Sequence, residues 1–322
     1  MPTVTQLTGQ EILDSRGRPT VKATCRLGSG ATASASVPSG RSTGAAEALE
    51  LRDGDPKRYR GLGCRKAAGH VSGEIHDALA GRTFEEQADF DRTMIDLDGT
   101  ANKSRLGANA ILAGSIAFAR ACAAERGVPL YQQFADILGQ PLRTQPRLTI
   151  NLLSGGKHAG KQVAIQDVLI VPVSPTTIDA SLVMMYDIYH AAVDLLAQTQ
   201  GMRWLTADEG GRGPSVASAD EMLRLAVDAM RRAGCEPGGD AAIALDVASS
   251  HFHQDGRYEI DGQWRDGEGM IETIARWVEQ YPIVSVEDGL FEDDWASWPG
   301  LCERIGDQAL VLGDDPLCTN PQ

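Results

Sequence analysis

Three short apolar runs in the second half of the chain each end in a carboxylate: Ala242–Asp246, Pro282–Glu287 and Ala309–Asp314. The run before Glu287 is β-branched except for one Ser, the pattern of a strand buried on both faces that delivers its last residue to one end of a sheet. If the three strands are neighbours, Asp246, Glu287 and Asp314 converge. Carboxylates gathered out of water repel one another and stay ionised only with a cation among them. All-oxygen ligation suits a hard ion, Mg²⁺ before Zn²⁺. Taken singly, each acid serves equally well as a solvated loop residue or a helix N-cap.

Other reactive groups fall at what would be neighbouring strand ends: His158 after the Gly155 and Gly156 turn, Asp167 before an apolar run, and the pair Asp208 and Glu209. Carboxylates crowded together hold a proton more readily, which would let Glu209 act as an acid while His158 orients a substrate oxygen. The bland alternatives are a histidine satisfied by its own turn and an acidic pair that starts a helix. Pro38–Gly44, with Ser39 and Arg41, is a loop of small residues of the kind that closes over a ligand, or simply connects two elements.

Stepping outward, residues 3–37 alternate strand formers with turn residues and predict a small antiparallel meander. Ala45–Leu51 reads as helical, as does most of Gly63–Gly139, including a long Ala-rich stretch from Gly107 that ends before Gly127. A Gly and two Pro between Gly139 and Pro146 mark a boundary. The chain is therefore expected to have an α+β domain over 1–140, with a mobile loop at 37–44, and a second domain over 141–322. In that second part strands alternate with helices, Ile178–Gln200 and Ala219–Ala233 among them. Six strands are expected, at Leu148–Leu153, Val168–Val173, Arg203–Thr206 and the three acid-tipped runs, in a largely parallel sheet. Either an open doubly wound sheet or a closed (β/α) barrel puts the site at the strands' C-terminal ends.

The formal net charge of −14 argues against nucleic acid or an anionic membrane as the main partner. Six scattered cysteines without a Cys-x-x-Cys pair read as reduced thiols. The first residues lack a basic region followed by an apolar core, and no uninterrupted apolar run approaches the length of a membrane span, so a cytoplasmic protein without membrane insertion is expected.

Across essentially the whole length the motifs resemble enolase: Glu11–Thr20, Pro38–Gly44, Glu47–Asp55, Gly107–Leu112, Asp208–Gly211, Ala244–Ala248, Val286–Gly289 and Gly313–Asp315. The resemblance implies an α+β N-terminal domain followed by an α/β TIM-like barrel. It also implies reversible, Mg²⁺-dependent dehydration of 2-phosphoglycerate to phosphoenolpyruvate, and a homodimer. By motif, Asp246, Glu287 and Asp314 match one metal site and Ser39 a ligand of a second. Glu209 matches the group that helps hydroxide leave, Asp167 its companion acid, and His158 a substrate-contacting histidine.

The departures are specific. The resemblance implies an incomplete barrel, because the family's last strands, base lysine and phosphate-binding segment would follow Gln322. Arg41 stands where enolases usually have Ala, Asp167 where they have Glu, and Lys157 and Lys161 make their loop more basic. These changes would suit a more anionic substrate that also contacts Arg41. They point to a paralogue of secondary metabolism resembling carboxyphosphonoenolpyruvate synthase. A non-catalytic enolase-like protein is the expectation if the chain ends at Gln322.

Overall fold

The computed structural model describes residues 1–40, 44–201, 206–207 and 209–320. They divide into two compact units, Met1–Arg41 with Glu47–Thr144, and Ser42–Ala46 with Gln145–Gln322.

In the first unit, β1 (Val4–Leu13), β2 (Pro19–Leu27) and β3 (Thr32–Ser36) form the antiparallel meander that the turn residues predict. One face of β2 (Val21, Ala23, Cys25 and Leu27) is buried at the period of two that a half-buried strand requires. Helices α1 (Arg65–His70), α2 (His76–Leu79), α3 (Gln87–Asp98), α4 (Ala108–Arg126) and α5 (Leu130–Leu138) follow. The Ala and Gly residues of α4 let it pack closely on β2 and β3, and it stops where Gly127 takes φ of 67°.

Ala45–Leu51 is not helical. Its backbone bonds elsewhere: Leu49 N–H to the Asn102 carbonyl at 2.7 Å, and Leu51 N–H to Asn109 Oδ1 at 3.2 Å. Asn109 Nδ2 returns a bond to the Leu51 carbonyl at 3.1 Å. A buried side-chain amide that satisfies both backbone groups of one residue overrides helix propensity, which is a weak preference.

The second unit is built on a five-stranded sheet in the order β11-β10-β6-β5-β4. Its strands are β4 (Ile150–Ser154), β5 (Asp167–Pro172), β6 (Ala241–Asp246), β10 (Ile283–Glu287) and β11 (Leu310–Leu312). The β6, β10 and β11 strands are parallel, but β5 runs antiparallel to both neighbours. This is less parallel than the strand patterns suggest. The β4–β5 connection carries no crossover α-helix, so the chain doubles back as in a hairpin. Two long helices, α6 (Ile178–Gln200) and α7 (Ala219–Arg232), separate β5 from β6 and reverse direction again. Of the strand expected at Arg203–Thr206, residues 203–205 lie outside the described residues, and Thr206 makes an isolated bridge to Arg212.

Packing follows from amphipathic helices. The α7 helix buries Ala219, Met222, Leu223, Ala226, Val227 and Met230 at helical spacing. Its first turn is capped by Ser218, whose side chain accepts the Glu221 N–H at 3.2 Å. The α6 helix is long and apolar enough to cross a membrane by composition alone, yet it packs against α7, β4 and β5 through Ile188, Ala192 and Leu196. A small antiparallel sheet, β7 (His253–Gln254), β8 (Arg257–Ile260) and β9 (Gln263–Arg265), precedes α8 (Gly267–Gln280), and α9 (Trp298–Ile305) precedes β11. None of the six cysteines is disulfide-bonded.

Candidate active site at the strand ends

The register of the sheet draws one row across its edge. Ser154 is opposite Asp167, Asp167 opposite Asp246, Asp246 opposite Glu287, and Glu287 opposite Leu312. Asp167 reaches this edge because β5 is antiparallel, so its first residue lies beside the last residues of its neighbours. Residues opposite one another in register project to the same face, so the acids of the row are neighbours.

Asp167 is almost fully buried and is held by three donors. Asn151 Nδ2 and Ser154 Oγ each donate to Oδ1 at 2.6 Å, and His158 Nδ1 lies 2.6 Å from Oδ2. His158 comes from the short turn Gly156–His158, in which Gly156 takes φ of 46° and its N–H bonds the Val163 carbonyl at 2.9 Å. With Nδ1–H donated to Asp167, Nε2 is the accepting nitrogen, and it lies 3.8 Å from Glu209 Oε1. Glu209 sits in a turn closed by the Ala207 N–H to the Gly211 carbonyl at 2.8 Å. That turn is fastened to β4 by Arg212 N–H to the Leu152 carbonyl (2.9 Å) and Ser154 N–H to the Arg212 carbonyl (2.7 Å). Gly211 is required there: a Cβ would fall 2.4 Å from both Asn151 Oδ1 and Ser154 Oγ.

Ligand atoms of Asp246, Glu287 and Asp288 lie within 4.8 Å of one another. Burial, then the charge of Glu287, pushes the Asp246 carboxyl well up, against a 3.0 Å hydrogen bond from Gln166 Nε2 that favours the ionised form. Burial and the charges of Asp288, Asp314 and Asp315 push Glu287 up to about 7. Burial likewise raises Asp288 to about 6, although the N–H groups of Asp314 (2.8 Å) and Asp315 (3.1 Å) bond its two oxygens. Buried, mutually repelling, all-oxygen donors at this spacing fit a hard divalent cation, whose charge would offset all three penalties.

Of the residues singled out from sequence, His158, Asp167 and Glu209 come together, and so do Asp246 and Glu287. Asp314 is outside that second cluster: its side chain is exposed, and its backbone N–H is held by Asp288. Asp288 is the third acid within that spacing, with its two oxygens accepting the N–H groups of Asp314 and Asp315. The adjacent pair Glu287 and Asp288 was the available signal, but pattern alone does not say which acid of a pair turns inward. Asn151 and Ser154 were also missed, and polar residues inside an apolar strand were the clue. Ser39 belongs to the first unit, where its Oγ accepts from Arg52 Nη2 at 2.6 Å and lies 3.3 Å from Glu50 Oε2. Arg41 and Asp208 lie outside the described residues. The described end of the loop that begins at Val37, Gly44 and Ala45, packs within the second unit: Ala45 N–H donates to Glu292 Oε2 at 2.7 Å.

Family comparison covers both parts of the chain. Residues 4–134 match the enolase N-terminal domain, and residues 143–322 match the enolase C-terminal TIM barrel domain. The meander followed by helices, the α/β domain after it and the acidic strand ends agree with that match, and the chain belongs to the enolase family.

Proposed function

We propose that this enolase-type lyase catalyses the reversible, Mg²⁺-dependent dehydration of 2-phosphoglycerate to phosphoenolpyruvate. The observation that carries the reading is the single in-register row that sets Asp167, with His158 and Glu209, beside Asp246 and Glu287. Dehydration of a hydroxy acid needs positive charge at the carboxylate and a proton for the departing hydroxyl, and the two clusters divide those tasks. Asp246, Glu287 and Asp288 would hold Mg²⁺, whose charge would make a proton beside a carboxylate more acidic. Asp314, the third match by motif, acts on Glu287 through its charge. Glu209, whose Oε1 lies 3.8 Å from His158 Nε2, delivers a proton to the leaving oxygen, and the imidazole ring is fixed by Asp167.

Phosphoenolpyruvate formation from 2-phosphoglycerate, followed by its ultraviolet absorbance, tests the reading. Turnover that disappears with a chelator and returns with Mg²⁺ is expected; no turnover, or turnover indifferent to chelation, would contradict it. Homodimer formation belongs to the same reading, and sedimentation at twice the 34.4 kDa chain mass is its expected result. A second reading, a paralogue acting on a more anionic substrate, is favoured by Lys157, a cation beside His158 in the turn Gly156–His158. Preference for such a substrate over 2-phosphoglycerate in direct competition would select it.

A further inference from the structure

The loop that begins after Val37 is fastened at its base within the first unit. Val37 donates its N–H to the Val21 carbonyl at 3.0 Å, and its own carbonyl accepts from Thr20 Oγ1 at 2.7 Å. The Ser39 carbonyl accepts from Arg16 Nη2, and Arg16 is itself set by Asp14, whose Oδ2 takes Nε and Nη2 at 3.3 Å. The far end is tied by the bonds of Leu49 and Leu51 to Asn102 and Asn109.

One guanidinium joins the two ends. Arg52 donates through Nη1 to the carbonyls of Pro19 (2.7 Å) and Leu62 (2.8 Å) and to Cys64 Sγ (3.0 Å), and through Nη2 to Ser39 Oγ (2.6 Å). The same Nη2 lies 2.6 Å from Glu50 Oε1, and the other oxygen of Glu50 lies 3.3 Å from Ser39 Oγ. Arginine presents its donors in a fixed plane, so partners on separate segments are held at fixed spacing.

These bonds do not suit Ser39 to a metal. The residue is only 6% exposed, its Oγ accepts from Arg52, and Glu50 Oε2 is the acceptor within reach of its hydroxyl. A cation on Oγ would share that oxygen with a guanidinium, and like charges so close repel.

We propose that Ser39 is an anchor of the loop and not a metal ligand, and that Arg52 and Arg16 are positioning residues that keep Val37–Ser39 and Leu49–Arg52 ordered before any ligand binds. The anchoring stands apart from the lyase reading; its effect on substrate rests on that reading.

Hydrogen exchange of the full chain tests the anchoring. Arg52→Lys keeps the charge but not the planar fork. In it the N–H groups of Val37, Leu49 and Leu51 should exchange at least about tenfold faster than in the parent, while amides in the middle of α4 stay within about twofold. Ser39→Ala removes one hydroxyl and should speed the same three amides by about threefold, which keeps the test open if the lysine variant does not fold. Calorimetric Mg²⁺ titration, without and with 2-phosphoglycerate, tests the other half: Ser39→Ala should take up as many ions as the parent, with affinity within about twofold. In turnover, Arg52→Lys should raise KM about tenfold with kcat within about threefold, because unanchored ends must be ordered at each binding event. Parental exchange at the three amides, an equal acceleration in α4, or an Mg²⁺ ion lost from Ser39→Ala would overturn the proposal. Exchange needs no turnover, so failure of the lyase reading removes only the KM comparison and is distinguishable from failure of the anchor.

Discussion

Asp167 anchors the cluster to which we assign proton handling. Its two oxygens take three donors, and a carboxamide in its place would set an NH₂ against at least one of them. Asp167→Asn should lower kcat by about 10- to 100-fold through loss of His158 orientation, the usual effect of removing a carboxylate that orients a histidine. Glu209→Gln should cost about 10²–10⁴-fold in kcat with little change in Tm, since Glu209 is exposed and touches the fold lightly. If Glu209→Gln keeps full turnover, the assigned acid is wrong. Gly211→Ala tests the geometry behind both: a methyl 2.4 Å from Asn151 Oδ1 and Ser154 Oγ must displace the donors of Asp167. That variant should lose activity and about 1–3 kcal/mol of stability, and parental values for both would contradict the packing. At this scale the side chains that gather at the edge were largely legible in sequence, because His158, Asp167, Glu209, Asp246 and Glu287 announce themselves by type and by position at strand ends. Their supports were not, because Asn151, Ser154 and Gln166 acquire meaning only when β4 and β5 are laid side by side.

At the scale of elements, apolar runs and caps located strands and helices well, while strand direction escaped. A buried strand reads the same forwards and backwards, so nothing in Asp167–Pro172 says that β5 runs opposite to β6. Only the connections carry that information. Yet the reversal is what brings Asp167 to the acidic edge. Ala45–Leu51 shows the opposite failure, good helix formers claimed by Asn102 and Asn109 from outside the segment.

Local supports make element-level predictions. Ser218→Ala removes the α7 cap and should cost about 1 kcal/mol, read by urea unfolding. In the first unit, hydrogen bonding to Arg58 holds the Glu11 carboxyl below its ordinary value of 4.5, despite partial burial, with help from the Cys64 N–H at 2.6 Å. A depressed carboxyl binds its proton more weakly in the folded state. Its stabilisation is therefore complete above that ordinary value and is lost as pH falls through the lower, folded one. Glu11→Gln should flatten the acid limb of the unfolding free energy for this unit, and an unchanged acid limb would contradict the pairing.

For the whole molecule, each unit has its own core, one around β2, α3 and α4 and one around the five-stranded sheet with α6, α7 and α8. The resemblance covers both, and the family match at residues 4–134 and 143–322 bears out the family and fold it implied. It reached further than periodicity, which left an open sheet and a barrel as alternatives. The acidic edge is where the second unit sets stability against function, because buried carboxylates raised by one another burden the metal-free fold. A cation bound only to the folded state should therefore raise Tm in proportion to its affinity, by a free energy of about 2.7 kcal/mol at a hundredfold excess over Kd.

The most direct measurement is a calorimetric Mg²⁺ titration of the protein beside its Glu287→Gln variant. The account predicts saturable binding to the parent and binding weakened at least about tenfold in the variant, which keeps the side-chain shape but removes one of three charged ligands. No Mg²⁺ binding by the parent, or equal binding by both proteins, would contradict the assignment of the strand ends as a metal centre.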